Sequence, residues 1–188
     1  MQISVPSVSQ REKDAALTLL TATRDQLIAA VSGLTTGQWH ERPNPDRWTI
    51  AEVLEHIVLL EQVFHSRIVP GLKTGPPPAR EAATVDALVR VLVPDRNTKY
   101  VVPPPLAPTG RWTESDCLRE FVEVRQRTIE FLGDPAGFRE RTVNHPALGP
   151  LDTYQWILMV ALHGARHTAQ IREALDVTDA PSTAAAAD

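Results

Sequence analysis

The chain has a single cysteine, Cys117, among its 188 residues. One cysteine cannot form an intramolecular disulfide, so a small secreted fold held together by disulfides is excluded. The N-terminal residues also lack a basic start followed by an apolar run and a small-residue cleavage site, the pattern of a secretory signal peptide. We therefore expect a protein of the reducing cytoplasm.

Long apolar runs and basic clusters are missing as well. No uninterrupted apolar stretch approaches the roughly 20 residues that a membrane-spanning helix requires, so no membrane partner is expected. The net charge is −4 and lysine and arginine are not clustered, which argues against nucleic acid as a partner. Gly-rich phosphate loops, nucleophile elbows and dinucleotide-binding motifs are absent too. These absences leave a small molecule as the expected substrate.

Helical periodicity dominates what is present. Apolar residues recur at spacings of three, four and seven in four long segments, which is typical of amphipathic helices. A hydrophobic fraction of 43% in this length is enough for the core of one domain, which we predict over residues 1–176, with residues 177–188 as a flexible tail. The predicted helices cover residues 9–32, 50–69, 113–133 and 153–175.

A long proline-rich connection, about residues 70–112, separates the second predicted helix from the third. It includes the stretches GPPPAR and VVPPPLAPTG and a short helical pattern at residues 81–93. Polyproline geometry cannot build a core, so this insertion either wraps the bundle or extends from it. A lid and a plain solvent-exposed insertion both fit. Four long helices with one long crossover predict an all-α four-helix bundle, a fold that places metal sites between inward-facing side chains.

Three histidines lie at the edges of apolar helix faces. His163 and His167 are four residues apart in the last predicted helix, so their imidazoles can reach the same ion. His56 lies beside the apolar stripe of the second predicted helix, whereas His65, nine residues on, points nearly the opposite way. A pair from one helix and a single histidine from another is the geometry of a three-histidine metal site. Histidines at such positions are also often structural or exposed, and geometry alone leaves this alternative open.

The stretch RPNPDRWTIAEVLEHIVLLE, followed in the last predicted helix by HGARHTAQI, resembles the DinB-like superfamily. This group includes the YfiT-type metal-dependent hydrolases, the bacillithiol S-transferases and the mycothiol-dependent maleylpyruvate isomerases. Its members share an Arg-Pro turn, a Trp-Ser/Thr-x-x-Glu helix start, one histidine on the second helix, and His-x-x-x-His followed by Gln on the last. The chain departs from this pattern in its long proline-rich insertion and in HTAQ where HRGQ is common. The matching residues are Arg42, Pro43, Trp48, Thr49, Glu52, His56, Glu61, His163, His167 and Gln170.

The resemblance implies a divalent ion, zinc or nickel, bound by His56, His163 and His167. Three imidazoles also suit iron, and three protein ligands leave a position for water or substrate, as in catalytic sites. The family favours a transferase or isomerase in which the metal activates the sulfur of a low-molecular-weight thiol. A hydrolase that uses metal-activated water is the alternative, and a non-catalytic metal-binding or stress-related protein is a third interpretation.

Three neighbouring side chains are candidates for supporting roles. Glu61 falls near the centre of an apolar stripe, where a carboxylate needs a partner. It is therefore a candidate catalytic base, or a candidate acceptor of a hydrogen bond from a metal-binding histidine; pairing with an arginine is the alternative. Gln170 shares the flank of the two last-helix histidines and is a candidate hydrogen-bond partner for one of them. Arg166 is a catalytic candidate that could bind a substrate carboxylate, unless it is simply a solvated charge.

The remaining candidates have weaker support. His40, His65 and His145 have no partner at metal-ligand spacing, so we expect them to be structural or exposed. Cys117 has no histidine at motif spacing, which favours an inert thiol over a nucleophile. The oligomeric state stays open, with a homodimer as one alternative, because a bundle can bury an apolar face between two copies without a sequence signal.

Overall fold

The structure is a computed structural model that describes residues 7–178. The elements in chain order are α1 (Gln10–Val31), α2 (Thr36–His40), α3 (Ile50–Val63), a π-helical turn (Phe64–Ile68), α4 (Val69–Leu72), α5 (Ala82–Leu92), a 3-10 turn (Pro104–Leu106), α6 (Glu114–Phe131), β1 (Thr142–His145), β2 (Gly149–Asp152) and α7 (Thr153–Thr178).

The four long helices α1, α3, α6 and α7 form the bundle. Helix α7 packs against α1, α3 and α5, and α6 packs against α3 and α1. The predicted all-α four-helix bundle is therefore confirmed, with one small addition, the two-stranded antiparallel sheet of β1 and β2. No helix within residues 7–178 is long and apolar enough to cross a membrane.

The long helices begin where capping residues satisfy their first free backbone N–H groups. Thr49 and Glu52 form the predicted capping box of α3, with each side chain accepting a hydrogen bond from the other residue's backbone N–H. Thr113 caps α6 with its side chain alone, which accepts a hydrogen bond from the backbone N–H of Asp116. Local sequence therefore fixes where two helices of the bundle start.

The second predicted helix does not continue as a regular α-helix to residue 69. After α3 the backbone widens into the π-helical turn Phe64–Ile68, and α4 then ends at Leu72. The turn places His65 against α6, where its Nε2 lies 2.9 Å from Oγ1 of Thr128. His65 thus has a structural contact, one of the two alternatives, structural or exposed, that the sequence left open.

Two apolar clusters fill the interior. One surrounds the first turns of α7 and includes Phe64, Tyr154 and Ile157; the other, towards the opposite end of α7, includes Leu54 and Phe121. Each fully buried large side chain of this kind stabilises the fold by about 1.5–3 kcal/mol. Packing on both sides of α7 explains why this helix is apolar on more than one face.

The proline-rich crossover wraps the bundle. Helix α5 buries Val85 and Val89 against the first cluster, and the 3-10 turn Pro104–Leu106 lies against α3. The short helical pattern predicted at residues 81–93 corresponds to α5. The tail predicted at residues 177–188 lies outside the described residues from 179 onwards, and α7 itself continues to Thr178.

Candidate metal centre

Helices α3 and α7 bring three imidazoles together near the middle of the bundle. The Nε2 atom of His163 lies 3.1 Å from Nε2 of His56 and 3.1 Å from Nε2 of His167. One nitrogen from each ring lies within 4.8 Å of the others. His56 and His167 are buried, with exposures of 4% and 8%, and His163 between them is half-buried.

The spacing of the three nitrogens suits a divalent ion. A tetrahedral zinc site with Zn–N distances of about 2.0–2.1 Å separates its ligand nitrogens by about 3.3–3.4 Å. The two measured separations of 3.1 Å are close to this value. The cluster therefore has the dimensions of a metal site as it stands.

Hydrogen bonds on the far side of two rings fix which nitrogen carries the proton. Nδ1 of His56 donates to the carbonyl oxygen of Leu106 at 2.8 Å, and Nδ1 of His167 donates to the amide oxygen of Gln170 at 2.8 Å. Both rings therefore present an Nε2 lone pair to His163. A single N–H on Nε2 of His163 can satisfy only one of these lone pairs, whereas a cation satisfies all three nitrogens.

Burial keeps these imidazoles neutral. Burial lowers the pKa of His56, although the hydrogen bond to Leu106 acts in the opposite direction. Burial, with a contribution from nearby His56, lowers the pKa of His167 to about 3. The pKa of His163 is well below its ordinary value, first because of burial and then because of the other two histidines. Neutral imidazole is the form that binds metals, so the ligands are ready at neutral pH.

Comparison with known protein families places this chain in one of them. The sequence model of the DinB superfamily matches residues 19–171, a span that includes all three histidines. The chain belongs to the DinB superfamily. The resemblance inferred from the two motifs is thereby confirmed.

Two further comparisons concern individual relatives of this DinB superfamily protein. It is 24% identical over 145 residues to the "Uncharacterized protein YuaE" of Bacillus subtilis (strain 168), across 76% of this chain and 86% of YuaE. Its structure is similar to that of YfiT from Bacillus subtilis, with a TM-score of 0.62 and 20% identity over 92% of this chain and 90% of YfiT. YfiT is described as "a probable metal-dependent hydrolase with an unusual four-helix bundle topology". At this identity the likeness shows a shared fold.

Glu61 pairs with Arg125 and not with one of the three histidines. Its carboxylate accepts two hydrogen bonds of 3.0 Å from Nε of Arg125, and both side chains are almost fully buried, at 1% and 0% exposure. The structure thus shows the alternative that the sequence left open, pairing with an arginine, because a buried carboxylate needs a compensating charge and Arg125 supplies it. Gly164 makes room for this pair, since a Cβ there would lie 3.0 Å from Nη2 of Arg125.

Arg166 lines the cavity beside the histidines, but its guanidinium is bound within the protein. It donates to the backbone carbonyls of Val93 and Asp95, and to that of Thr98 at 2.6 Å. These bonds hold the end of α5 and the loop after it against α7. Arg166 therefore fastens the crossover to α7, and its contact with a substrate carboxylate stays a prediction. Gln170 is hydrogen-bonded to His167, one of the partners that the sequence proposed for it.

A cavity of about 630 Å³ opens beside the three histidines. Its walls are mainly apolar, and no aspartate or glutamate is found among the described residues that line it. The sequence missed two groups here, the carbonyl of Leu106 and the side chain of His145, because both lie on connections between helices and belong to no helical pattern. Apolar side chains from the crossover, the bundle and the hairpin contribute Val101, Val102, Leu106, Leu148, Trp156 and Met159.

Cys117 lies away from this cavity. Burial, helped by the nearby carboxylates of Glu55 and Glu120, raises the pKa of its thiol to about 12. A buried thiol with such a pKa is not a nucleophile at neutral pH. This agrees with the inert role that the sequence favoured.

Proposed function

We propose that this protein is a metal-dependent transferase or isomerase that joins a low-molecular-weight thiol to an electrophilic substrate. The observation that carries the proposal is the convergence of three Nε2 atoms on an apolar cavity whose described lining has no carboxylate. A thiol has a pKa of about 8.5 and needs little help to ionise near neutral pH. Water, with a pKa of about 15.7, usually needs a general base as well as a metal.

Nε2 of His56, His163 and His167 would hold the ion, with zinc or nickel as first choices and iron as an alternative. A divalent ion in this position supplies Lewis acidity, which stabilises a thiol as its thiolate. The protein contributes the fixed direction of the ligands. Leu106 and Gln170 each accept a proton-bearing Nδ1 and so keep two imidazoles turned towards the common centre.

The proposed reaction is simple in its bond changes. The thiol gives its proton to solvent, and the sulfur electron pair forms a bond to an electrophilic carbon. In a transfer, the bond from that carbon to a leaving group breaks and the leaving group takes the electron pair. In an isomerisation, the thiol adds to a double bond, the new single bond rotates, and elimination releases the thiol unchanged. The apolar walls of the cavity limit competing attack by water.

Metal-dependent hydrolysis is the second candidate. It is favoured by the structural likeness to YfiT, which is described as a probable metal-dependent hydrolase. A hydrolase would draw its base from outside the described cavity lining or from the substrate itself. A metal-binding protein without turnover is the third candidate, and it requires the same three ligands.

Turnover measured with and without thiol separates the three candidates. The metal-loaded protein is given electrophiles, with and without a panel of small thiols, and also esters and amides without thiol. We expect metal-dependent consumption of electrophile only when thiol is present, and loss of that rate in His167→Ala. Hydrolysis without thiol would establish the second candidate. A metal-to-chain ratio near one with no reaction in any assay would favour the third.

A further inference from the structure

His145 is held in the β1–β2 turn by an unusual cap. Its Nδ1 accepts hydrogen bonds from the backbone N–H groups of Ala147 and Leu148, each at 3.2 Å. The turn closes at Gly149, which pairs with His145 across the hairpin and has a φ of 74°. Because Nδ1 accepts, the proton of the neutral ring must lie on Nε2. Burial lowers the pKa of His145, so the neutral form is the relevant one at neutral pH.

The Nε2–H group of His145 has no acceptor among residues 7–178. The side chain nevertheless lines the cavity beside the three histidines, and its ring lies 5.3 Å from the ring of Trp156. Trp156 offers no second donor here, since its Nε1 donates to the carbonyl of Val143 at 3.2 Å. The Nε2–H of His145 is therefore a donor of fixed direction at the cavity wall, and a bound ligand can supply its acceptor.

The charges on the cavity wall have one sign. Apart from histidines, the ionisable side chains of the lining that bear charge at neutral pH are Arg67 and Arg166. Arg166 is committed to backbone carbonyls. Arg67, on the exposed side of the π-helical turn, forms no ion pair or hydrogen bond with the described part of the chain. An apolar cavity whose wall carries an unpaired guanidinium and a fixed N–H donor without a protein acceptor among residues 7–178 favours a ligand with an apolar body and an anionic oxygen.

We propose that Nε2–H of His145 and the guanidinium of Arg67 bind a carboxylate on the electrophilic substrate, so that this substrate is an apolar carboxylic acid. The reaction assigned to the substrate rests on the proposed function. The subsite itself requires only ligand binding, so its failure can be told apart from a failure of the thiol chemistry.

Two substitutions at His145 separate a role in the turn from a role in binding. His145→Asn keeps an acceptor oxygen where Nδ1 lies and can still cap Ala147 and Leu148, but it loses the Nε2 donor. His145→Gln keeps an N–H near the position of Nε2 and loses the cap. If His145 only supports the turn, His145→Gln should weaken carboxylate binding and His145→Asn should change it little. If His145 binds the ligand, the order of the two variants is reversed.

The first measurement is calorimetric titration of the full-length, metal-loaded protein with phenylbutyrate and with its uncharged amide, phenylbutyramide. We expect the carboxylate to bind about tenfold or more tightly than the amide, and His145→Asn to lose about tenfold of that affinity. His145→Gln should stay within a few-fold of the parent protein. Equal affinity for the two probes, or an unaffected His145→Asn variant, would overturn the subsite.

Arg67→Gln should weaken phenylbutyrate binding without changing the affinity for the amide. Arg172→Gln is the matched control, since Arg172 is exposed on α7, lies outside the cavity lining and gives the same change in net charge. Repeating the titration after removal of metal with EDTA tests whether the carboxylate binds the ion instead. Carboxylate binding that survives EDTA supports the subsite, and binding that disappears overturns it.

Small thiols can also carry a carboxylate. A second experiment shows whether the carboxylate bound at this subsite belongs to the electrophile or to the thiol. Reaction rates are compared for an acid and an amide form of the electrophile, and separately for mercaptopropionate and mercaptopropionamide as thiol. We expect His145→Asn to remove the preference for the acidic electrophile. If it changes only the preference between the two thiols, the carboxylate belongs to the thiol and the assignment to the electrophile is wrong.

Discussion

Nδ1 of His56 lies 2.8 Å from the carbonyl oxygen of Leu106. This bond joins a histidine of the bundle to the proline-rich crossover, which places the crossover directly behind the three-histidine cluster. Glu55, the residue before His56, binds the crossover a few residues after Leu106. Its carboxylate accepts from the N–H groups of Thr109 at 2.9 Å and Gly110 at 2.7 Å. The crossover is therefore fastened to α3 at two neighbouring residues.

Glu55→Ala should lower metal affinity by about tenfold, the lower end of the range for outer-shell partners, because the carbonyl of Leu106 is then less firmly placed. Competition with a fluorescent chelator measures the effect. Glu123→Ala is the control, since Glu123 is exposed on α6. An affinity unchanged by Glu55→Ala would mean that the crossover does not need this anchor.

The three ligand histidines should be equally necessary for the ion. Replacing His56, His163 or His167 by alanine leaves two imidazoles, so metal content determined by mass spectrometry should fall from about one ion per chain to a small fraction. His65→Ala is the matched control, because His65 lies against Thr128 on α6 and outside the cluster. Similar metal content in all four variants would refute the site.

Gln170 should set the orientation of His167. Gln170→Ala removes the acceptor of the Nδ1 proton, and metal affinity should fall by about 10–100-fold, as is typical when such a partner is lost. Gln170→Glu restores an acceptor oxygen and should recover most of the affinity. Gln126→Ala, at an exposed position of α6, should have no effect. Equal affinities for the alanine and glutamate variants would argue against an orienting role.

The Glu61–Arg125 pair should support stability and not the chemistry. Arg125→Met leaves a buried carboxylate without its counter-charge, so the free energy of unfolding measured in urea should fall by about 3–5 kcal/mol. The double variant Glu61→Leu/Arg125→Met should recover part of this loss, because neither charge remains buried alone. Recovery will be incomplete, since Arg125 also donates to Thr23 at 2.8 Å.

Glu61→Gln tests the alternative role of this residue. If Glu61 were a catalytic base, the folded variant would bind metal and lose turnover. We expect instead reduced stability with metal content and turnover per folded molecule retained, because the carboxylate faces Arg125.

His65 should make the fold sensitive to acid. Burial, together with the positive charge of Arg127, lowers its pKa from 6.5 to about 4. Between these two values the unfolded chain binds a proton that the folded chain does not, so stability is greatest above pH 6.5 and falls as the pH drops towards 4. His65→Gln removes this titration and keeps a donor for Thr128. Urea midpoints measured between pH 7 and pH 4 should depend less on pH in the variant; parallel curves would contradict the assignment.

Much of the fold was predictable because helix signals are local. The capping box of Thr49 and Glu52 fixed the start of α3, and the apolar periodicity on either side of the crossover marked four long helices. The missed elements include α2, α4 and the β1–β2 hairpin, whose helices and strands have four or five residues each, too few for a periodic pattern. The π-helical turn was missed as well, because its sequence is compatible with an ordinary helix.

The sequence by itself determined that His163 and His167 share one side of a helix, since a spacing of four residues places two side chains one turn apart. Only the tertiary structure decided which other groups lie beside these two histidines. His56, the carbonyl of Leu106 and the ring of His145 reach the same cavity from three different segments, and Glu61 pairs with Arg125, 64 residues away. Contacts between such distant residues depend on how helices pack, and packing leaves no periodic trace in the chain.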